Sequence, residues 1–507
     1  MSLNPALAED LKERDKVTLE SESSETAESD GDSQSGFGGD FGGDMGGFGG
    51  FDDLPDVELK PADVPPPPSH LRVDGFARTQ WAWWVERALE DGWAKGRQNL
   101  DLSARYKRSG WALTLEGHVE YDLLYLTDGP FDPVQKEEYQ AQYIGGVQSL
   151  SKQLTIGDGS LTISTGRQIV TWGELDGLSA LDVVNPQDQR EPGVAEIDDL
   201  RIAVWLSRIQ YARAAHSLEL MVRHEGYYGL LTPPRADYSP FNTLIQDQPA
   251  ASALIGDREV RLAHDREGVG LDTQSFFLRY QYRGAGLDLG LYGASILDGR
   301  GVLDGTRLLS DFGAALANPN GPLTITYEHP RYELTGLTIA KPFKSFLFKG
   351  ELVGAFNQPV NSGGSDNLAE LNIEEVNLLT SALSVTYSGF KDITLAAEYQ
   401  RASLLSDEPE VPFLFPPNIA VLALRASGTF LRERLSLSGV ISLIEPSREI
   451  ADRGGLIRLD ATYRVLDALK LGLGYVHYLT SDDFGPFYGL EEHDRIFTQL
   501  RWDFTVY

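Results

Sequence analysis

The chain has 507 residues, no cysteine, 75 acidic against 44 basic side chains, and a formal net charge of −31. A charge of that sign excludes a reader of nucleic acid, which needs basic patches to neutralise phosphate, and the missing thiols exclude disulfide frameworks, thiol catalysis and cysteine-based metal sites. No window reaches the ~18 to 20 continuous apolar residues of a membrane helix, so contact with lipid falls to strands or to nothing.

The first 70 residues are a separate material, with 17 acidic against 4 basic side chains, a net −13. Residues 21–35 are polar and acidic, 36–51 are Gly-rich with Phe37, Phe41, Phe48 and Phe51 interspersed, and 65–68 are four consecutive prolines. Such a stretch cannot bury enough apolar area to offset its ordering entropy. A disordered periplasmic arm over 1–70 is therefore expected ahead of a folded unit over 71–507. Its Gly-Gly-Asp-Phe pattern lacks the strict spacing of calcium-binding repeats. Spaced Phe on an acidic arm suits docking to a periplasmic or inner-membrane transport partner by folding on contact. Ala6-Leu7-Ala8 before Glu9-Asp10 has the form of a cleavage site, while 1–16 holds no charged start with an apolar core. The expectation is that Met1 lies inside a longer precursor.

From Leu71 onward, alternating runs predict strands near 71–84, 96–108, 110–126, 138–153, 160–172, 202–213, 216–229, 273–284, 286–297, 323–343, 345–357, 377–389, 393–405, 418–431, 434–446, 454–467, 468–480 and 492–507. In one of them Trp111, Leu113, Leu115, Val119 and Tyr121 alternate with Thr114, Glu116, His118, Glu120 and Asp122, an apolar face against an ionic one. Tight turns and long polar connections alternate along the chain. A soluble sandwich has no reason to obey that rule, whereas outer-membrane barrels do. The fold class predicted is all-β: a transmembrane, antiparallel, up-and-down β-barrel of about 18 strands with both ends in the periplasm and the disordered arm appended.

The strand phases send Arg72, Asp74 and Arg78, then Glu116, His118, Glu120 and Asp122, then Arg223, Arg279, Arg458, Asp460, Arg501 and Asp503 to the lumen. Singly, each reads as part of a wet wall laced with ion pairs. As a set they read as an electrostatic path that selects or orients cargo. The connection over 229–272 carries Pro233, Pro234, Pro240 and Pro249 and an apolar stretch over 250–255, which suits capping or constricting a pore.

Gly166-Arg167-Gln168-Ile169-Val170-Thr171-Trp172-Gly173-Glu174, followed by Asn185-Pro186-Gln187-Asp188, resembles the signature of the outer-membrane family filed as domain-of-unknown-function thirteen-oh-two. The resemblance implies an outer-membrane channel set beside large exporters and handling hydrophobic or lipid-like cargo. Trp172 is expected at the lipid interface, Arg167 paired with a carboxylate inside the barrel, and Trp172, Gly173, Glu174, Asn185 and Pro186 in a loop that folds inward. The final Leu500, Trp502, Phe504 and Val506 leave Tyr507 one residue out of phase. It is nonetheless read as the terminal aromatic recognised by the barrel assembly machinery, with a local bulge restoring the phase.

Eight histidines lie scattered without metal-ligand spacing, and no Gly-x-Ser-x-Gly, His-Glu-x-x-His or phosphate-cradling glycine loop occurs. No catalytic residue, cofactor or metal site is expected, and the chain does not read as an enzyme. The function expected is passage of a small hydrophobic or amphipathic compound across the outer membrane, with lipid around the barrel. The alternative is a plugged structural barrel anchoring a periplasm-spanning envelope complex.

Overall fold

A computed structural model describes residues 70–506 except 88–91, 128, 130, 194–199, 240, 241, 243–254, 319, 364–369, 407–416, 446–453 and 481–486. The expected arm, apart from His70, lies outside the described residues, as do Tyr507, Pro240, Pro249 and all of 250–255 except Ile255.

Eighteen strands form one closed antiparallel wall. In chain order these are β1 (Leu71–Trp84), β2 (Trp93–Arg108), β3 (Trp111–Asp122), β4 (Ala141–Ile156), β5 (Gly159–Gln168), β6 (Val204–Arg213), β7 (His216–Arg223), β11 (Ser275–Gly284), β12 (Leu287–Leu297), β14 (Arg331–Phe343), β15 (Phe346–Ser362), β16 (Asn372–Phe390), β17 (Ile393–Leu404), β18 (Ala420–Phe430), β19 (Leu435–Ile444), β20 (Gly455–Leu466), β21 (Leu469–Leu479) and β22 (Arg495–Val506). Each pairs with the next in this order, and β1 pairs with β22 from Val73↔Val506 to Trp84↔Arg495, which closes the cylinder.

Alternation positions the two faces. In β3 Glu116, His118, Glu120 and Asp122 are buried, while Trp111, Leu115 and Val119 are each about half exposed, at 48%, 48% and 49%. A cylinder with apolar residues outside and ionic ones inside requires an oily surrounding and a polar interior. The 12 residues of β3, rising ~3.3 Å each and tilted ~45°, span about 28 Å, close to a bilayer's hydrocarbon core. The turn-side ends are tight: Ser109 and Gly110 both have positive φ, 51° and 74°, the pairing that matches a two-residue hairpin to the strand twist.

The expected strand boundaries shift where local chemistry ends a ladder. The run over 323–343 divides in two: β13 (Leu323–Tyr327) pairs in parallel with β9 (Val260–His264) away from the wall, and the wall strand starts only at Arg331. Pro330, which has no N–H to donate, sits at the break. Helix α2 (Gly305–Ala317) packs with this parallel pair through Leu308, Ala315, Val260, Leu323 and Ile325. Strand 138–153 starts only at Ala141, because Asp132 caps a short helix, α1 (Pro133–Tyr139), at 2.9 Å from the Val134 N–H. The run 110–126 ends at Asp122, whose carboxylate accepts the Leu124 N–H at 2.9 Å and turns the chain. The run 216–229 ends at Arg223, beyond which β8 (Glu225–Gly226) pairs with β10 (Gly268–Val269). The run 160–172 ends at Gln168, and that departure shapes the interior.

Candidate functional site in the barrel interior

Between β5 and β6 the chain leaves the wall and folds into the cylinder. Gly166, at φ 118°, lies so close to the Gln148 carbonyl that a side chain would collide with it. Asn185 then ties the neck: its Oδ1 accepts the Val170 N–H at 2.8 Å, and its Nδ2 donates to the carbonyls of Gln168 and Ile202, both at 2.9 Å. Trp172 is fully buried, edge-on to Phe277 of β11 and Tyr292 of β12 at 5.2 Å each. Leu181, Val184, Leu334, Val353 and Leu378 complete this apolar cluster inside the wall.

Two wall carboxylates then clasp the loop backbone. Glu351 of β15 accepts the N–H groups of Glu174 and Leu175 at 2.6 and 3.1 Å and the Ser179 hydroxyl at 3.0 Å. Glu398 of β17 accepts Asp176 N–H on one oxygen at 3.1 Å, and Gly177 and Leu178 N–H on the other at 3.0 Å each. Lys349 bonds Asp176 at 2.9 Å, and Arg279 donates to the Thr171 carbonyl at 3.2 Å. Burial raises the carboxyls of both Glu174 and Asp176 above the usual range, against the pull of Arg283 on the first and Lys349 on the second.

The far end of the loop is held by charge. Glu191 meets Lys95 and Arg97 of β2, each at 2.5 Å, and Arg495 of β22 at 2.8 Å. Burial alone would raise its carboxyl, but Arg97, Lys95 and Arg495 hold it well below the usual range. The Tyr478 hydroxyl donates to the Pro192 carbonyl at 2.6 Å. The loop thus seals the inner faces of β12 to β16, where Tyr292, Ile296, Leu334, Val353 and Leu378 are all buried. Along β18 to β20 the inward Arg425, Ser427, Ser438, Val440, Ser442 and Asp460 stay only half-buried. Water-accessible space inside the cylinder therefore borders these strands.

The family model described as "Protein of unknown function (DUF1302)" matches residues 97–406. The chain belongs to this family. No curated protein matches the sequence. The DUF1302 chain is similar in structure to Acinetobacter baumannii OccAB3, at 10% identity and TM-score 0.45, covering 86% of this chain and 99% of that one. It is likewise similar to Pseudomonas aeruginosa OccK11 (OpdR), at 10% identity and TM-score 0.44, covering 86% and 96%. The closure of the wall and its 18 strands rest on its own ladders.

In this DUF1302 barrel most of the predicted lumen residues meet near neighbours on the wall, and Arg78 of β1 lies directly across the ladder from Arg501 of β22. Arg72 bonds Asp74 at 2.7 Å near the turn-side rim, and Arg78 stands 5.8 Å from the Phe76 ring. Glu116 meets Arg105 at 3.2 Å, and His118 meets Asp101 at 2.7 Å. Glu120 pairs with Arg97 at 3.2 Å, beside Asp122 and Lys95 at 3.7 Å. Arg279 pairs with Glu219 at 2.9 Å, and Arg223 reaches the Val184 carbonyl at 3.3 Å. Arg458 bonds Asp460 and Arg501 bonds Asp503, each at 2.7 Å.

Two expectations need correction. Trp172 is not at a lipid interface; the strand ends four residues earlier and the indole packs inside the barrel. Arg167 shares the phase of the exposed Ile163, not that of the buried Ser164 and Gln168, and it meets Glu225 beyond the end of β7 at 3.3 Å. Trp172, Gly173, Glu174, Asn185 and Pro186 do belong to an inward loop, and this connection crosses the interior. Within 229–272, Tyr238 packs with Trp84, Tyr478 and Phe487 at the loop-side end. Sequence reasoning missed Lys95, Arg97, Glu191 and Arg425; the alternation of Ala423, Arg425 and Ser427 was a usable signal for the last. Among the described residues no cluster of three or more His, Asp or Glu is arranged to hold a metal ion.

Proposed function

We propose that this chain is an outer-membrane channel whose bore is narrowed by the inward loop and passes a small amphipathic compound. The observation that carries the reading is a loop clasped by Glu351 and Glu398 across the inside of a closed wall, leaving Arg425, Ser427, Ser438, Val440, Ser442 and Asp460 on the inner faces of β18 to β20 half-buried beside the buried Ala423, Arg458 and Thr462. The wall there mixes Ser427, Ser438 and Ser442 with Val421 and Val440, a lining compatible with a cargo that is part polar and part apolar. Reconstitution into planar bilayers tests it: stepwise conductance is expected, and a silent, correctly folded barrel would refute it.

A plugged anchor is the second reading, favoured by the buried apolar cluster around Trp172 and the clamp on Glu191. The same recording separates the two, because a plug passes no ions. We further propose that the N-terminus is periplasmic and that 1–70 docks to a transport partner, supported by the acidic, Phe-spaced composition of that segment. Deleting it should abolish transport while barrel assembly stays normal; undiminished transport would sink the docking idea.

A further inference from the structure

Arg425 lies on the inward phase of β18, between Ala423 and Ser427, with Leu424 and Ala426 facing out. Among the described residues no carboxylate stands within ion-pair distance of its guanidinium, and its Nε is buried without a hydrogen-bond partner. Glu398, on the adjoining strand and close by in register (Ala396↔Arg425, Glu398↔Ala423), would be the obvious counter-ion. The loop has taken it: both of its oxygens accept backbone N–H groups of 176–178. Other carboxylates near the loop bond other cations, Asp176 with Lys349 at 2.9 Å and Asp460 with Arg458 at 2.7 Å, so that Asp176 acts on Arg425 only across space. Gly177 presses so closely on Arg425 that a methyl there would collide with the guanidinium. The result is a half-buried cation with no carboxylate among the described residues in direct contact, set where the loop meets β18 and within reach of the Asp176 and Glu398 charges.

A guanidinium so placed keeps its affinity for a planar oxyanion, and a bidentate carboxylate is the partner its fork fits best. Val440 lies directly across the ladder from Arg425, Ser427 pairs with Ser438, and Ala423 pairs with Ser442. We propose that Arg425 is an anion-recognition site of the bore, taking the carboxylate head of a small amphipathic solute whose apolar body lies along Val440. This rests on the channel reading above.

Two measurements test the site. In planar bilayers under a tenfold KCl gradient, the wild type should reverse on the anion-preferring side. Arg425→Gln should move the reversal potential toward cations, and Arg425→Lys should hold it. Independently of any current, phenylglyoxal labelling of the full chain in detergent, read by mass spectrometry, should show Arg425 protected roughly tenfold by benzoate, the factor a charge-assisted contact supplies. Benzyl alcohol should give no protection, and Arg458 serves as internal control. Conductance with an unchanged reversal potential and an unprotected Arg425 overturns the site and leaves the channel standing. A silent bilayer with benzoate-protected Arg425 overturns the channel and supports the site.

Discussion

Glu398→Gln tests the clasp that holds the loop inside the barrel. The carboxylate has two acceptor oxygens, one serving Asp176 N–H at 3.1 Å and the other Gly177 and Leu178 N–H at 3.0 Å. An amide keeps only one acceptor oxygen. Placed to keep the better-served pair, it aims its NH2 at the Asp176 N–H, which loses its partner while remaining inside the wall. Losing one charge-assisted bond and stranding one donor costs roughly 2–3 kcal/mol, about a 30- to 150-fold rise in the open population of 174–178. The remaining contacts through Glu351, Lys349 and Trp172 keep the loop inside on average. Hydrogen exchange in lipid nanodiscs should therefore show amides 176–178 exchanging at least tenfold faster, with the wall amides of β15 to β17 unchanged and the heat-modifiable gel shift intact. If 176–178 exchange at the wild-type rate, the clasp contributes nothing and the reasoning from its geometry is wrong.

Trp172→Ala removes a fully buried indole from between Phe277 and Tyr292 and should cost about 3–5 kcal/mol. The barrel ladders do not depend on it, so the expected outcome is larger, noisier conductance with normal assembly; quiet wild-type currents would count against it. Glu191→Gln leaves Lys95, Arg97 and Arg495 facing one another without their shared anion, a loss of roughly 3–5 kcal/mol for a broken buried cluster. The unfolding temperature on heat-modifiable gels should fall, and an unaltered midpoint would refute the clamp. In the connections outside the wall, His264 bonds His329 at 2.9 Å, and burial lowers both, His329 to about 4 from its ordinary 6.5. The folded state holds the neutral rings, so their stabilisation is complete above about pH 6.5 and fades as pH falls toward 4, by roughly 3 kcal/mol from His329. Limited proteolysis across 224–331 should speed up over that window in the wild type and lose the acid dependence in His329→Gln.

What the sequence shows and what it hides divide along a physical line. Period-two alternation is local, so all eighteen wall strands were legible, and β1 ends where the pattern does, at Trp84. Errors fall where the alternation outlives the ladder. Val170 and Trp172 keep the rhythm of β5, but Asn185 takes the Val170 N–H and pulls the chain inward. The run over 323–343 carried its own warning in Pro330. The path of the loop had no local signal at all, since Glu174 and Gly177 find their partners in Glu351 and Glu398, some 177 and 221 residues away.

Net charge illustrates the same division. The chain carries −31, of which −13 lies in the first 70 residues, and that total invites the expectation of a cation-preferring pore. The inward phases of β17 to β22 run the other way: Arg425, Arg458, Arg464, Lys470, Arg495 and Arg501 face Glu398, Asp460 and Asp503. Glu398 is further spent on backbone amides, and Arg495 is spent on Glu191. Exposed charge beyond a Debye length of about 8 Å is screened by salt, whereas a cation inside a low-dielectric wall is screened far less. The sign of the few side chains that border the open part of the bore, and above all whether each already has a partner, therefore governs which ion lingers there.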